Sequence, residues 1–288
     1  MGHRSILGIV CGFCTIGLTA VHAEIPITAK YDSAWTEKDG IYTLDYPGKG
    51  YPALKLSFPV QKGKTYCFSC ETRMDSPSRR VEGLYGVPGG QFEPYRNFLY
   101  AEKDGFETIR LYLNPGAKQQ LQFRNCKVKK WDGGSTTENL LPNGDFENGH
   151  ASSVWTIGSW GDPASGGMIT PTSDFIQGKQ SLKMLTPAPK KVNPLVSVFL
   201  PVREKSRLRL TFWAKADTPQ GLRLNFDFGK QHGKHLYKLK TFSITSDWLE
   251  YEFEYEIPAL EKPLVRLHLQ REHADGNVWL DLMNLVNK

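Results

Sequence analysis

From Glu24 onward this chain has almost no segment in which apolar residues recur every three or four positions. Short runs alternate apolar with polar residues instead, and Gly, Pro, Asn and Asp separate them. Alternation of period two gives a strand one buried face and one wet face, the requirement of an antiparallel sheet and not of a helix. "RLRLTFWAKA" sets Leu208, Leu210, Phe212 and Ala214 on one face, and "LRLNFDF" does the same with Leu222, Leu224, Phe226 and Phe228. "LEYEFEYEI" aligns Leu249, Tyr251, Phe253, Tyr255 and Ile257, while "VRLHLQ" and "VWLDL" align Val265, Leu267, Leu269 and Val278, Leu280, Leu282. The pattern predicts an all-β chain of stacked antiparallel sheets.

With 288 residues the chain is long enough for two such sandwiches. "DGGSTTE" at 132–138 is small, polar and flexible in composition, so it reads as a linker between 24–131 and 139–288. The two pieces are loosely repeated. "KGKTYCFSCETRMD" in the first parallels "KSRLRLTFWAKAD" in the second, and each piece closes on a strand followed by basic residues, "LQFRNCKVKKW" and "VWLDLMNLVNK". Two copies make a tandem rather than an array.

Residues 1–23 read as a secretory signal: Arg4 in the charged end, an apolar run over Ile6–Ala20, and Val-His-Ala at 21–23 as the cleavage site. The run is too short and too interrupted to span a membrane. Bulky Val10 and Phe13 precede Cys11 and Cys14, which argues against lipid attachment. The expected location is secreted or periplasmic. Cleavage leaves Cys67, Cys70 and Cys126, an odd number in an oxidising compartment. Two readings stay open: one bridge to Cys126, for which Cys67 and Cys70 lie on opposite strand faces, or three buried thiols.

Net charge is +6, falling to +5 without Arg4 (35 basic against 30 acidic residues), and it is spread along the chain. No Lys/Arg cluster interleaves with aromatics, so nucleic acid is not an expected partner. His232 and His235 flank Gly233 in a Lys-rich loop with no nearby acid, which reads as solvated rather than metal-binding.

"NLLPNGDFENG" at Asn139–Gly149, then "SLKM", "RLTFWAKA", a Trp-to-Tyr strand and the terminal "VWLDLMNL" resemble the carbohydrate-binding modules of families four, nine and twenty-two, which are galactose-binding-like jelly rolls. The resemblance covers nearly all of 139–288; over 24–131 it rests mainly on the internal repeat. It implies a structural calcium held between the first and last strands, at positions matched by Asp145, Glu147 and Asp281. Clustered oxygen donors suit a hard cation. Leu282 stands where the family often has a second Asp. The other reading is a turn at Asn143-Gly144 with solvated acids. In the first piece Arg124 aligns with Asp281, so no ion is expected there.

The resemblance also implies a sugar cleft across a concave sheet, walled by aromatics at the positions of Trp160 and Tyr237. Sugar rings stack their CH-rich faces on aromatic rings while amides, carboxylates and guanidinium groups read the hydroxyls. The wet faces of two strands offer Arg223, Asn225 and Asp227, and Arg266, His268 and Gln270; Asn225, Asp227, His268 and Gln270 are the expected polar contacts beside the two aromatics. Trp155 is expected in the core and Trp213 on an outer face.

Two rival functions remain. One is a structural or adhesion module that binds protein through the aromatic-rich stretch Tyr85–Tyr100. The other is glycoside chemistry, which needs two carboxylates about 5–10 Å apart. Glu250, Glu252, Glu254 and Glu256 have that spacing, but an open sheet face gives no dry pocket to raise one pKa. Pairing with Arg209 and Lys215 on the next strand explains the ladder instead. No nucleophile elbow, zinc helix or phosphate loop occurs. The expected protein is a non-catalytic glycan binder; a protein partner is unknown.

Overall fold

The structure is a computed structural model and describes residues 24–47, 49–50, 52–74, 81–82, 92–113, 119–133, 137–141, 143–147, 155–157, 169–184, 195–197, 199–272 and 276–288. The expected signal segment lies outside these residues. Every regular element among them is a strand, and every pairing is antiparallel.

The first sandwich stacks two sheets. One runs β1 (Thr28–Tyr31), β4 (Ala53–Val60), β8 (Gly105–Leu113), β6 (Val81–Glu82). The other runs β2 (Trp35–Lys38), β3 (Ile41–Tyr46), β9 (Gln119–Lys130), β5 (Thr65–Met74), β7 (Glu93–Tyr100). Leu54, Leu56, Phe58 and Leu111 from one sheet meet Leu44, Phe68, Leu121 and Phe123 from the other in a solvent-free core.

The second sandwich repeats the plan. β11 (Ile169–Thr172), β12 (Ser181–Met184), β20 (Val278–Asn287), β15 (Arg207–Ala216) and β18 (Leu249–Glu256) form a sheet with the same chain order as β2-β3-β9-β5-β7. Its mate runs β10 (Trp155–Ile157), β13 (Leu195–Ser197), β19 (Leu264–Arg271), β16 (Gln220–Gln231), β17 (Lys234–Ile244), with β14 (Leu200–Pro201) also on β19. Leu208, Leu210, Phe212 and Ala214 are fully buried against Leu222, Leu224, Phe226, Val265, Leu267 and Leu269. Each such Leu, Val or Phe side chain contributes roughly 1.5–3 kcal/mol through removal from water.

Two departures from simple alternation matter. On β20 the alternation read from sequence ends at Leu280: Leu282 takes a left-handed φ of 49°, and Met283 and Leu285 turn inward in its place. The cause is a β-bulge, since Thr211 opposes Asn284 while Trp213 opposes Asp281. On edge strand β18, Leu249 stays 45% exposed, while Tyr251 and Phe253 stack on Phe212 and Phe226.

The segment 139–147 lies along β20. Leu140 donates to Leu285 O, Met283 donates to Gly144 O, and the Asn139 amide bridges Met283 O and Leu285 N–H. Its turn therefore stands against the closing strand, with Glu147 half-buried and Asp145 exposed. The described ends of the stretch read as a linker each make a side-chain contact. Gly133 is buried and its carbonyl accepts from Arg203 Nε at 2.8 Å, while Glu138 pairs with Arg96 at 3.4 Å.

Candidate functional site

Three adjacent strands put nine residues on one outward face. Antiparallel register sets Tyr237 beside Asp227 beside Arg266, Leu239 beside Asn225 beside His268, and Thr241 beside Arg223 beside Gln270. Because the inward residues of β16 and β19 are Leu, Phe and Val, period two forces the residues between them outward, and register carries Tyr237, Leu239 and Thr241 to the same face. Four of the six residues expected to contact sugar thus share this surface with Tyr237. Trp160, the sixth, lies outside the described residues. Trp155 is paired in register with Ser197 on β13, and its side chain lies outside the description.

The hairpin that brings Tyr237 to this face is built by turn chemistry. His232 and Gly233 both have positive φ, 48° and 80°, the requirement of the two-residue turn that matches strand twist. A bulge precedes it: Asp227 opposes Tyr237 but Gly229 opposes Leu236, so Phe228 is an extra residue. His235, two residues before Tyr237, shares its outward face, and the slip sets it opposite Lys230 rather than Gly229. Sequence reasoning placed His235 in a solvated loop; here His235 Nε2 lies 2.8 Å from Asp227 Oδ1.

Asp227 is the electrostatic centre of the face, its side chain only 6% exposed. Oδ1 also accepts the Gly229 N–H at 2.8 Å, and Oδ2 lies 3.3 Å from both Arg266 Nη2 and His268 Nε2. The His268 contact is close but poorly aligned, so it acts through charge more than as a directed hydrogen bond. Burial alone would raise the Asp227 pKa. The contact with His268, the Gly229 N–H and the Arg266 charge overcome that penalty and hold the carboxyl well below the usual range. Arg266 in turn rests on the Phe199 ring, 4.5 Å from its centroid.

Around this anchor the face is mostly polar, with one exposed apolar pair. Tyr237 is 55% exposed and Leu239 48%. Beside them Asn225 Oδ1, Arg266 Nε and His268 Nε2 are screened from bulk water yet make no hydrogen bond within the described residues. Polar side chains beside an exposed apolar strip are the combination a polyol ligand can use. Leu239 went unnoticed in the sequence although it alternates with Tyr237, and His235 reads as solvated there because its partner Asp227 lies across the hairpin, eight residues earlier.

On the opposite sheet the glutamate ladder is ion-paired. Arg209 meets Glu252 at 2.7 Å, and Arg207 reaches Glu254 and Glu256, both at 3.0 Å. The Lys288 ammonium joins Glu254 at 2.9 Å. Hydrogen bonds from these cations, ahead of the small effect of burial, lower the Glu252 and Glu254 pKa values, the reverse of what a general acid needs. Lys215 does not join the ladder; it pairs with Asp174 and lies near the Trp248 and Trp279 rings.

Asp281 is fully buried. Ile176 and Gln177 donate N–H bonds to its Oδ2, and Leu282 donates to Oδ1. Burial raises its pKa, the N–H bonds oppose this, and the nearby Glu147 charge raises it again. Glu147 Oε1 accepts from Lys179 and Gln180 at 2.8 and 3.1 Å. Asp145 accepts from Glu147 N at 3.3 Å within its own turn. Among the described residues no three acidic, His or Cys side chains gather into one metal-holding cluster. Two carboxylates near each other, one of them buried, fit a hard cation in donor type and charge. Asp145 does not complete a set of three.

No curated protein sequence matches this chain. Among solved structures it is similar to the N-terminal CBM22-1–CBM22-2 tandem of Paenibacillus barcinonensis Xyn10C (14% identity, 93% of this chain and 98% of that one, TM-score 0.41). The CBM22-1 xylan-binding domain of the same protein matches at 20% identity over 54% of this chain and 97% of its own, TM-score 0.42. The CBM22-1–GH10 modules of Clostridium thermocellum xylanase 10B match at 9% identity over 52% and 28%, TM-score 0.39. The sandwich plan itself rests on the strand registers above. Residues 138–278 match the family model described as a carbohydrate binding domain, so this part of the chain is similar to the carbohydrate-binding modules.

Proposed function

We propose that the protein is an exported, non-catalytic glycan binder whose second sandwich holds a polysaccharide or oligosaccharide across β17, β16 and β19. The observation that carries this reading is the exposed pair Tyr237 and Leu239 beside the rows Asn225–His268 and Arg223–Gln270. A pyranose laid on Tyr237 and Leu239 turns its equatorial hydroxyls toward Asn225, His268 and Gln270. Asp227, with its oxygens engaged by protein donors, acts by orienting Arg266 and His235. Trp160, if it faces the same groove, supplies a second platform. A structural calcium between Glu147 and Asp281, with backbone carbonyls completing its shell, would tie the segment 139–147 to β20.

Isothermal titration against soluble xylans, glucans, mannans and galactans tests the reading. Binding of at least one polymer that falls at least tenfold in a Tyr237→Ala, Trp160→Ala double variant is the expected result. No binding across the panel, or equal binding by wild type and variant, refutes it.

A further inference from the structure

A bulge in the first sandwich brings two cysteines together. Ser69 opposes Lys127 and Glu71 opposes Arg124, so Cys70 alone on β5 faces both Asn125 and Cys126 on β9. Asn125 has a left-handed φ of 54°, which lets β9 absorb the additional residue. The second sandwich carries the same irregularity, where Phe212 faces Leu282 and Met283, and both Phe212 and Met283 are buried core side chains. Cys70 and Cys126 therefore occupy the positions of a packed core pair. Arg124 likewise stands where Asp281 stands, and it pairs with Glu71 at 2.5 Å.

Both thiols point into the same core. Cys70 is 4% exposed, and Cys126 packs against that core from a more accessible position. Burial, and after it the neighbouring Cys126 thiol, raises the Cys70 pKa. Opposed residues of antiparallel strands have Cα atoms about 4.5–5.5 Å apart, inside the range a disulfide spans. Cys67 is differently placed. It lies three residues before Cys70, on the other side of the pleat, opposite Lys129 and Phe98, and its Sγ contacts Phe68 O of its own strand.

We propose that Cys70 and Cys126 are a reversible disulfide site that staples the β5–β9 bulge, with Cys67 left as a free thiol. The chemistry is thiol–disulfide exchange with a small disulfide such as glutathione disulfide. The more accessible Cys126 thiolate attacks one glutathione sulfur, forming a mixed disulfide and expelling one glutathione thiolate. The Cys70 thiolate then attacks the Cys126 sulfur and expels the second. One glutathione disulfide is reduced to two glutathione thiols, which take up the two protein protons.

Peptide mapping of the full chain tests this after equilibration in glutathione buffers, alkylation of free thiols and chymotryptic cleavage, since a cut after Phe68 separates Cys67 from Cys70. The expected result is a Cys70–Cys126 linked pair that disappears with dithiothreitol, with Cys67 alkylated throughout. Oxidation should raise Tm by roughly 5–10 °C in wild type and in Cys67→Ser, and leave Cys126→Ser unchanged. A linkage carrying Cys67, or Cys70 and Cys126 both alkylated in the most oxidising buffer, overturns the proposal.

Discussion

His235 Nε2 stands 2.8 Å from Asp227 Oδ1 across a hairpin whose register slips by one residue between Asp227 and Gly229. Period two along β17 puts His235 on the same outward face as Tyr237, and the slip sets it opposite Lys230 rather than Gly229. A buried acid is thus ringed by two imidazoles, a guanidinium and a backbone N–H, and the polar part of the outward face is fixed before any ligand arrives.

Tyr237 is the exposed aromatic on that face, and its ring lies 6.1 Å from His235, tilted rather than packed into the core. Tyr237→Ala should therefore weaken glycan binding about tenfold to a hundredfold, the loss of one stacking platform. Calorimetric melting should move little, because so exposed a ring gives the folded state little. A large fall in Tm with unchanged affinity would contradict the role.

Asp227 ties stability to pH. Burial acts against its charged form, but contacts with His268, Gly229 N–H and Arg266 lower its folded pKa below the ordinary value. A depressed carboxylate adds stability that is present above the unfolded pKa of about 4 and is lost as pH falls through the folded value. Asp227→Asn should cost ~2–4 kcal/mol at neutral pH by leaving Arg266 half-buried without its anion. Urea melts from pH 7 to 2 should then show a shallower acid slope in the variant than in wild type.

The strand faces were legible in the sequence because period two is a direct print of burial. Leu208 to Ala214 and Leu222 to Phe226 needed no correction, and the outward set Arg223, Asn225, Asp227 followed from them. What escaped was everything that depends on one extra residue in a strand. Leu282 turned away from the core, and the choice between Cys67 and Cys70 as the neighbour of Cys126 stayed open, each beside a bulge that only coordinates reveal. Long-range partners escaped too. Lys215 chose Asp174, which lies in an irregular loop with no pattern to announce it.

Asp281 gives calcium a measurable signature. Burial, followed in effect by the nearby Glu147 charge, raises its folded pKa. A raised carboxyl adds stability that is present below the unfolded pKa and lost as pH rises through the folded value. In chelator the protein should lose stability over that interval, and calcium should restore it by about 2–3 kcal/mol at a hundred times its Kd. Glu147→Gln should reduce this gain. Scanning calorimetry at pH 4 and pH 7, each with calcium or chelator, separates the arms; identical melts with and without calcium would remove the ion from the account.

Gly144 tests whether segment 139–147 is anchored to the closing strand. Its backbone runs so close to β20 that an added Cβ would sit 2.0 Å from Met283 O and 3.0 Å from Asn139 Nδ2. The first neighbour is main chain inside a sheet, held by the hydrogen bond from Met283 N to Gly144 O at 2.7 Å, so it cannot swing aside as a side chain would. Gly144→Ala must push the segment off β20 and loosen the Asn139 amide that bridges Met283 and Leu285. The expected loss is about 2–4 kcal/mol, large for one methyl group and comparable to overpacking a core. Hydrogen exchange should show the amides of Leu140, Met283 and Leu285 losing protection together while those of β16 and β19 keep theirs. Unchanged protection at these three positions would mean that the segment only rests against the sandwich and does not close it.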